Sequence, residues 1–188
     1  MNVYDFDNTI YDGESSFDFF IFCAKKDKRL LYHFPLIIYK FLKYKLCLIS
    51  VEELEHSAER YACDFFKIIP DLDTAVNDFW DSHMHKIKSF YKKNQREDDI
   101  VISASADFLL ENVCRRIGIK NLICSKLNRK TGKAESLCFR NNKVDLFYKN
   151  FPDSDIDNFY TDSMNDKPMI EISSSAYLVK GNKLKKIK

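Results

Sequence analysis

The feature that most constrains this chain is an isolated apolar segment, Asn2 to Phe6, that runs into acidic residues and finds its counterparts only after residue 98. From there the pattern alternates. Ile100 to Ser103 reads as a buried strand with a polar end, and 106–117 as a helix closed by Gly118 at the C-terminal cap position. Asn121 to Cys124 is a second short strand, and 126–140, with Thr131-Gly132-Lys133, suggests a hairpin. Lys143 to Asn150 is a short helix ended by Pro152, and Asn158 to Thr161 a strand ending in Asp162. Residues 166–172 are helical, and Ala176 to Val179 is a last strand. Such alternation predicts an α/β fold, a doubly wound parallel sheet with helices on both faces. Glu14 to about Asn94 reads as helical throughout. Phe17, Phe20 and Ile21, then Phe34, Ile37, Ile38 and Phe41, have helical spacing. Ser50-Val51-Glu52-Glu53 is a capping box that predicts a helix to about Phe66, and another helix is expected from Leu72 to Tyr91. The expected organisation is therefore a core of residues 1–13 and 95–188 with an inserted all-helical cap, 14–94.

Composition narrows the function. At 188 residues and a net charge of +2, bulk electrostatics gives no reason to expect a nucleic-acid partner. Cysteines 23, 47, 63, 114, 124 and 138 form no Cys-x-x-Cys pair, and no secretory signal is read at Met1. Reduced thiols in the cytoplasm, serving as small core residues, are expected. Residues 30–50 are apolar enough to suggest a membrane span, but His33, Lys40, Lys43 and Lys45 interrupt them and Pro35 sits inside. A soluble helical element is the reading, without membrane contact. Residues 25–49 hold seven Lys or Arg against one acid, read as a solvated basic face of the cap. The tail from Lys180 to Lys188 reads as a solvated terminus.

Polar residues collect where predicted strands end: Asp5-Phe6-Asp7-Asn8-Thr9, then Ser103, then Asp162 with Asn165 and Asp166 on the next turn. Lys143 opens the helix between the last two strands. Ligands of an open parallel sheet bind beyond the carboxyl ends of its strands. Several carboxylates in one crevice repel each other and call for a cation. All-oxygen ligands favour a hard ion, and Mg²⁺ suits few carboxylates with waters and phosphate. Lys143, the Ser103 hydroxyl and backbone N–H groups would match the charge on phosphoryl oxygens. Asp5 can attack phosphorus to form an aspartyl-phosphate, and Asp7 can protonate the leaving oxygen and later deprotonate a water.

These residues carry a resemblance. Asp5-Phe6-Asp7-Asn8-Thr9 resembles the first motif of the haloacid dehalogenase superfamily, Asp-x-Asp-x-Thr after an apolar strand. Val101-Ile102-Ser103 is similar to the second motif and Lys143 to the lysine of the third. Asp162-Ser163-Met164-Asn165-Asp166 is similar to the fourth, with Thr161 where a Gly usually stands. The helical block resembles the cap of the phosphoserine phosphatase-like branch. The resemblance implies roles. Asp5 is nucleophile and metal ligand; Asp7 is acid/base and offers its backbone carbonyl to the metal. Ser103 and Lys143 bind the phosphoryl group, and Asp162 and Asp166 belong to the metal site, Asp166 orienting the metal shell or Lys143. Glu14, Thr9 and Asn165 fall on the substrate side, and the substrate is a small phosphorylated metabolite, phosphoserine-like compounds among them.

Competing readings stand beside these. Lys133 rivals Lys143 but follows a turn; Lys143 begins a helix, whose N–H groups favour anions. Glu14 could be a first-turn helix acid, and Ser105 a helix cap. His83 and His85 point to different faces of a helix, which predicts packing. Arg60 is a candidate grip for a substrate carboxylate. A receiver-like phosphoacceptor module, a metal-free dehalogenase and a catalytically silent scaffold on the same fold are the alternatives to a phosphatase.

Overall fold

The computed structural model describes residues 1–32, 35, 39 and 51–188, without the side chains of 51–58. The expected repeat of Phe34, Ile37, Ile38 and Phe41, most of the basic segment 25–49, Cys47 and the Ser50 capping box lie outside the described residues.

Seven strands form one sheet: β1 (Asn2–Tyr4), β2 (Ile100–Ala106), β3 (Asn121–Leu127), β4 (Ala134–Ser136), β5 (Ile156–Thr161), β6 (Ser173–Lys180) and β7 (Lys183–Lys186). Their order is β4-β3-β2-β1-β5-β6-β7. The five central strands are parallel; β4 and β7 pair antiparallel at the edges. The fold is thus the expected α/β one. From β1 the chain builds outward through β2 and β3, then crosses to β5 and β6. The order reverses at β1, the switch point where open sheets bind ligands.

Among the described residues, seven α-helices accompany the sheet: α1 (Ser15–Lys26), α2 (Val51–Ile68), α3 (Leu72–His83), α4 (Ser89–Asn94), α5 (Asp107–Arg116), α6 (Asn141–Asn150) and α7 (Lys167–Ile172). Strand side chains alternate between faces, and each face has its own core. Tyr4, Phe6 and Val101 pack with Phe19 of α1, Val76, Phe79 and Trp80 of α3, and Leu109, Leu110 and Val113 of α5. Val3, Ile100, Ile102 and Ile123 pack on the other face with Phe147 of α6 and Met169 and Ile170 of α7. Trp80, fully buried, donates its indole N–H to the Leu109 carbonyl at 2.8 Å, which ties α3 to α5. Asp71 caps α3 by accepting from the Thr74 amide at 3.0 Å.

The structure corrects three expectations. The helix from Leu72 ends at His83, not Tyr91. A 3-10 turn (Met84–Lys86) follows, and Ile87 pairs with Tyr11 in an antiparallel bridge. The turn at 8–13 supplies backbone partners that outcompete the helix. Asp12 N–H donates to the Lys86 carbonyl at 2.9 Å, and Lys88 N–H to the Ile10 carbonyl at 2.8 Å. The tail is a strand, β7, rather than a free terminus: its backbone completes the sheet edge while its side chains stay exposed. The last residue is also held, since Lys188 Nζ donates to the carbonyls of Ile170, Glu171 and Ser173. The strand at 121 runs on to Leu127 and pairs with β4, so the expected hairpin forms.

Five described cysteines, 23, 63, 114, 124 and 138, are free thiols. Among the described residues, no helix is long and apolar enough to cross a membrane.

Candidate active site

Each strand end delivers its polar residue to one place. Asp5 follows β1 directly, and its N–H extends the ladder to the Tyr160 carbonyl at 2.9 Å. The chain then folds back on itself: Thr9, Ile10 and Tyr11 all donate backbone N–H groups to the Phe6 carbonyl. Asn8 takes a left-handed φ of 54°, which Asn tolerates better than most side chains. This tight turn puts Asp5 and Asp7 on the same side of the sheet's end.

Lys143, only 3% exposed, sits between two carboxylates. Its Nζ lies 2.8 Å from Asp5 Oδ1 and 2.8 Å from Asp166 Oδ1. Burial works against its charge, but Asp5 and Asp166 outweigh burial and hold the ammonium above the usual lysine range. Burial likewise drives the Asp5 carboxyl well above the ordinary carboxylate range, opposed by Lys143 and reinforced by Asp166. The Asp166 carboxylate is held from its other side, where Oδ2 accepts from the Thr161 hydroxyl at 2.8 Å. Thr161 is fully buried at the end of β5, and its backbone is ordinary extended strand. The residue in place of the usual Gly therefore does not disturb the backbone; it adds a donor.

Asp7 has different surroundings. Its Oδ1 accepts the Ser15 amide at 2.7 Å and its Oδ2 the Ser105 hydroxyl at 2.6 Å. Burial raises its pKa while these two donors pull it back. Ser103 is buried, and its Oγ accepts the Ser105 amide at 3.1 Å. A register shift between Ser103 and Ala106 makes this possible. A bulge re-aims side chains, and here both serines are buried, Ser105 against Asp7 and Ser103 against the Ser105 amide.

Asp162 follows β5, half-buried, and its carboxyl is raised by burial and by Asp166. Glu14 is exposed just before α1, where it makes no capping bond. It accepts from Asn8 Nδ2 at 2.6 Å, and burial together with the Asp7 and Asp162 charges raises its pKa. Asn165 is exposed on the turn after Asp162. Thr9 is fully buried, and its hydroxyl has no hydrogen-bond partner among the described residues. Lys133 is exposed in the hairpin turn, Arg60 is exposed on α2, and His83 stacks on Phe79 at 4.2 Å.

The charge balance is uneven. Asp5, Asp7, Asp162, Asp166 and Glu14 face two buried ammoniums, Lys143 and Lys88. The surplus of carboxylate oxygens fits a hard divalent cation. Among the described residues no three His, Cys, Asp or Glu side chains form a ready-made cage. Mg²⁺ does not require one, since it takes one or two carboxylates and completes its shell with waters and phosphate.

The sequence profile described as haloacid dehalogenase-like hydrolase matches residues 3–171. The chain belongs to the haloacid dehalogenase-like hydrolases. No curated protein sequence matches it significantly. Solved structures share the family's fold at low identity. A protein of unknown function from Bordetella pertussis Tohama I superposes with a TM-score of 0.73 at 16% identity, over 94% of this chain and 87% of that one. A phosphoserine phosphohydrolase-like protein from Francisella tularensis gives 0.55 at 14% identity, over 94% and 86%. An apo phosphoserine phosphatase gives 0.55 at 15%, over 93% and 82%.

Within this haloacid dehalogenase-like site, the bonding roles of four contributors escape a sequence reading, which takes Ser105 only as a helix cap and Thr161 only as a replacement for Gly. Ser105 and the Ser15 amide hold Asp7, Thr161 holds Asp166, and buried Lys88 donates to the Asn8 carbonyl. Only Ser105 carried a signal, its spacing of two from Ser103, which places both on one face of a strand.

Proposed function

We propose that the protein is a Mg²⁺-dependent phosphatase that hydrolyses small phosphate monoesters through an aspartyl-phosphate on Asp5. One observation carries the reading: the two acids of the first motif have opposite environments. Asp5 is gripped by the Lys143 cation, and Asp7 is held by neutral donors. Adjacent carboxyls in different surroundings can divide the labour of nucleophile and acid/base.

The chemistry follows. An Asp5 carboxylate oxygen attacks phosphorus, and the bond from phosphorus to the alcohol oxygen breaks. Asp7 gives its proton to that departing oxygen. A water then attacks the phosphorus of the acyl phosphate and loses a proton to Asp7. Inorganic phosphate leaves and the Asp5 carboxylate is restored. Lys143 and the Ser103 hydroxyl hold the phosphoryl oxygens, and Asp166, fixed by Thr161, keeps Lys143 in place. Mg²⁺, held by Asp5, Asp162 and the Asp7 carbonyl, would neutralise the phosphoryl charge. The helices within 14–94 serve as the cap that excludes bulk water, the core being 1–13 and 95–188. Free thiols agree with action in the cytoplasm.

The test is phosphate release from 4-nitrophenyl phosphate with Mg²⁺ and with EDTA. Wild type should turn over only with the metal. Asp5→Asn should keep its fold and lose turnover, and acid-quenched wild type should carry a phosphoryl group on the Asp5 peptide. A silent scaffold releases no phosphate under either condition, and turnover by Asp5→Asn would refute the nucleophile.

A further inference from the structure

Beside the acid/base residue lies a cavity of about 210 Å³ whose walls are almost entirely carbon. α1 and α2 enclose it with the first turn of α5; Phe19, Phe20, Phe65, Phe66 and Phe108 supply aromatic faces. The side-chain oxygens on its wall are those of Ser16 and Tyr61. Ser16 connects it to the chemistry: Ser16 Oγ is 2.9 Å from Ser105 Oγ, and Ser105 donates to Asp7 at 2.6 Å. The Ser16 wall of the cavity thus stands two hydrogen bonds from Asp7, the group that the phosphatase reading has protonate the leaving oxygen.

We infer that this cavity receives the leaving group, and that the preferred substrates are phosphate monoesters of apolar alcohols or phenols. The inference rests on the phosphatase reading above and adds the substrate class. A phosphoserine-like leaving group carries an ammonium and a carboxylate, and the described residues of these walls offer neither a counter-charge. Burying those charges unpaired costs far more than the cavity returns. An apolar group gains there instead. An apolar cavity of about 150 Å³ stays dry and binds benzene, so this one has room for a substituted ring or a short alkyl chain.

The experiment is a substrate series on the whole protein with Mg²⁺: ethyl, butyl and hexyl phosphate, phenyl and 2-naphthyl phosphate, and O-phospho-L-serine. kcat/KM should rise about fourfold per methylene along the alkyl esters, the gain expected for a buried CH₂. Phosphoserine should fall no higher than ethyl phosphate, and 1-hexanol should compete with hexyl phosphate. The aryl arm separates a ring-shaped pocket from a chain-shaped one: 2-naphthyl ahead of hexyl phosphate assigns the ring. Ala62→Phe, which fills the cavity from α2, should flatten the chain-length dependence. The wild-type series decides the matter even if that variant fails to fold. A flat series with phosphoserine preferred overturns this inference and leaves the phosphatase reading intact. No turnover of any ester overturns both.

Discussion

The Thr161 hydroxyl donates to Asp166 Oδ2 at 2.8 Å, while Asp166 Oδ1 meets the Lys143 ammonium at 2.8 Å. Thr161 thereby fixes Asp166, which in turn holds Lys143. Thr161→Val keeps the shape and removes the donor. kcat should fall about tenfold to a hundredfold, as losing a hydrogen bond to a charged group implies, with KM little changed. Thr161→Ser should restore most of it. Steady-state kinetics of the three proteins checks this; full kcat in the valine variant would remove Thr161 from the machinery.

Ser105 is the side-chain donor to Asp7 Oδ2. Ser105→Ala leaves a buried carboxylate oxygen without its partner, so kcat should drop about tenfold. Circular dichroism should show the fold retained. An unchanged rate would mean that Asp7 needs only the Ser15 amide.

Asp18 accepts from Lys86 at 2.5 Å and from the Tyr11 hydroxyl at 2.7 Å. Burial alone would raise its pKa, but these partners prevail and hold it below the ordinary carboxylate value. An acid lowered in the folded state stabilises above its unfolded pKa of about 3.9 and loses that contribution as pH falls through the lower folded value. Asp18→Asn should therefore cost about 1–2 kcal/mol at pH 7. The gap to wild type should close in acid. Urea melts at a series of pH values measure it; a gap that does not shrink contradicts the assignment.

Gly132 lets the β3–β4 hairpin rest on α2. It has a φ of +74°, and a Cβ there would stand 2.2 Å from the Glu59 carbonyl oxygen. Gly132→Ala should destabilise by about 1–3 kcal/mol, since neither backbone nor helix can give way freely. Thermal denaturation would read the loss.

Much of this was legible in the sequence because apolar strands that end in acids break the pattern conspicuously. Asp5 and Asp162 stand out for that reason, Ser103 as the polar end of a strand and Lys143 as a cation at a helix start, and the alternation after residue 98 carries the sheet. What escaped depends on geometry that composition does not encode. The bulge that buries Ser105 beside Ser103 replaces one regular register with another of the same polarity. Ile87 looks helical by spacing, yet Tyr11, distant in sequence, claims it as a bridge partner. β7, Lys-Leu-Lys-Lys, buries no face, so its strand character lies wholly in backbone pairing. The Thr161 hydroxyl is visible as a letter but not as a bond.

The Trp80 indole, packed between α3 and α5, bears on how freely the helices on this face of the sheet can move. Prising those helices apart would wet an aromatic surface worth about 5 kcal/mol and strand its N–H. Thermal motion rarely supplies that much, so α3 stays docked on α5. Any rearrangement on this face of the sheet has to carry α3 and α5 together.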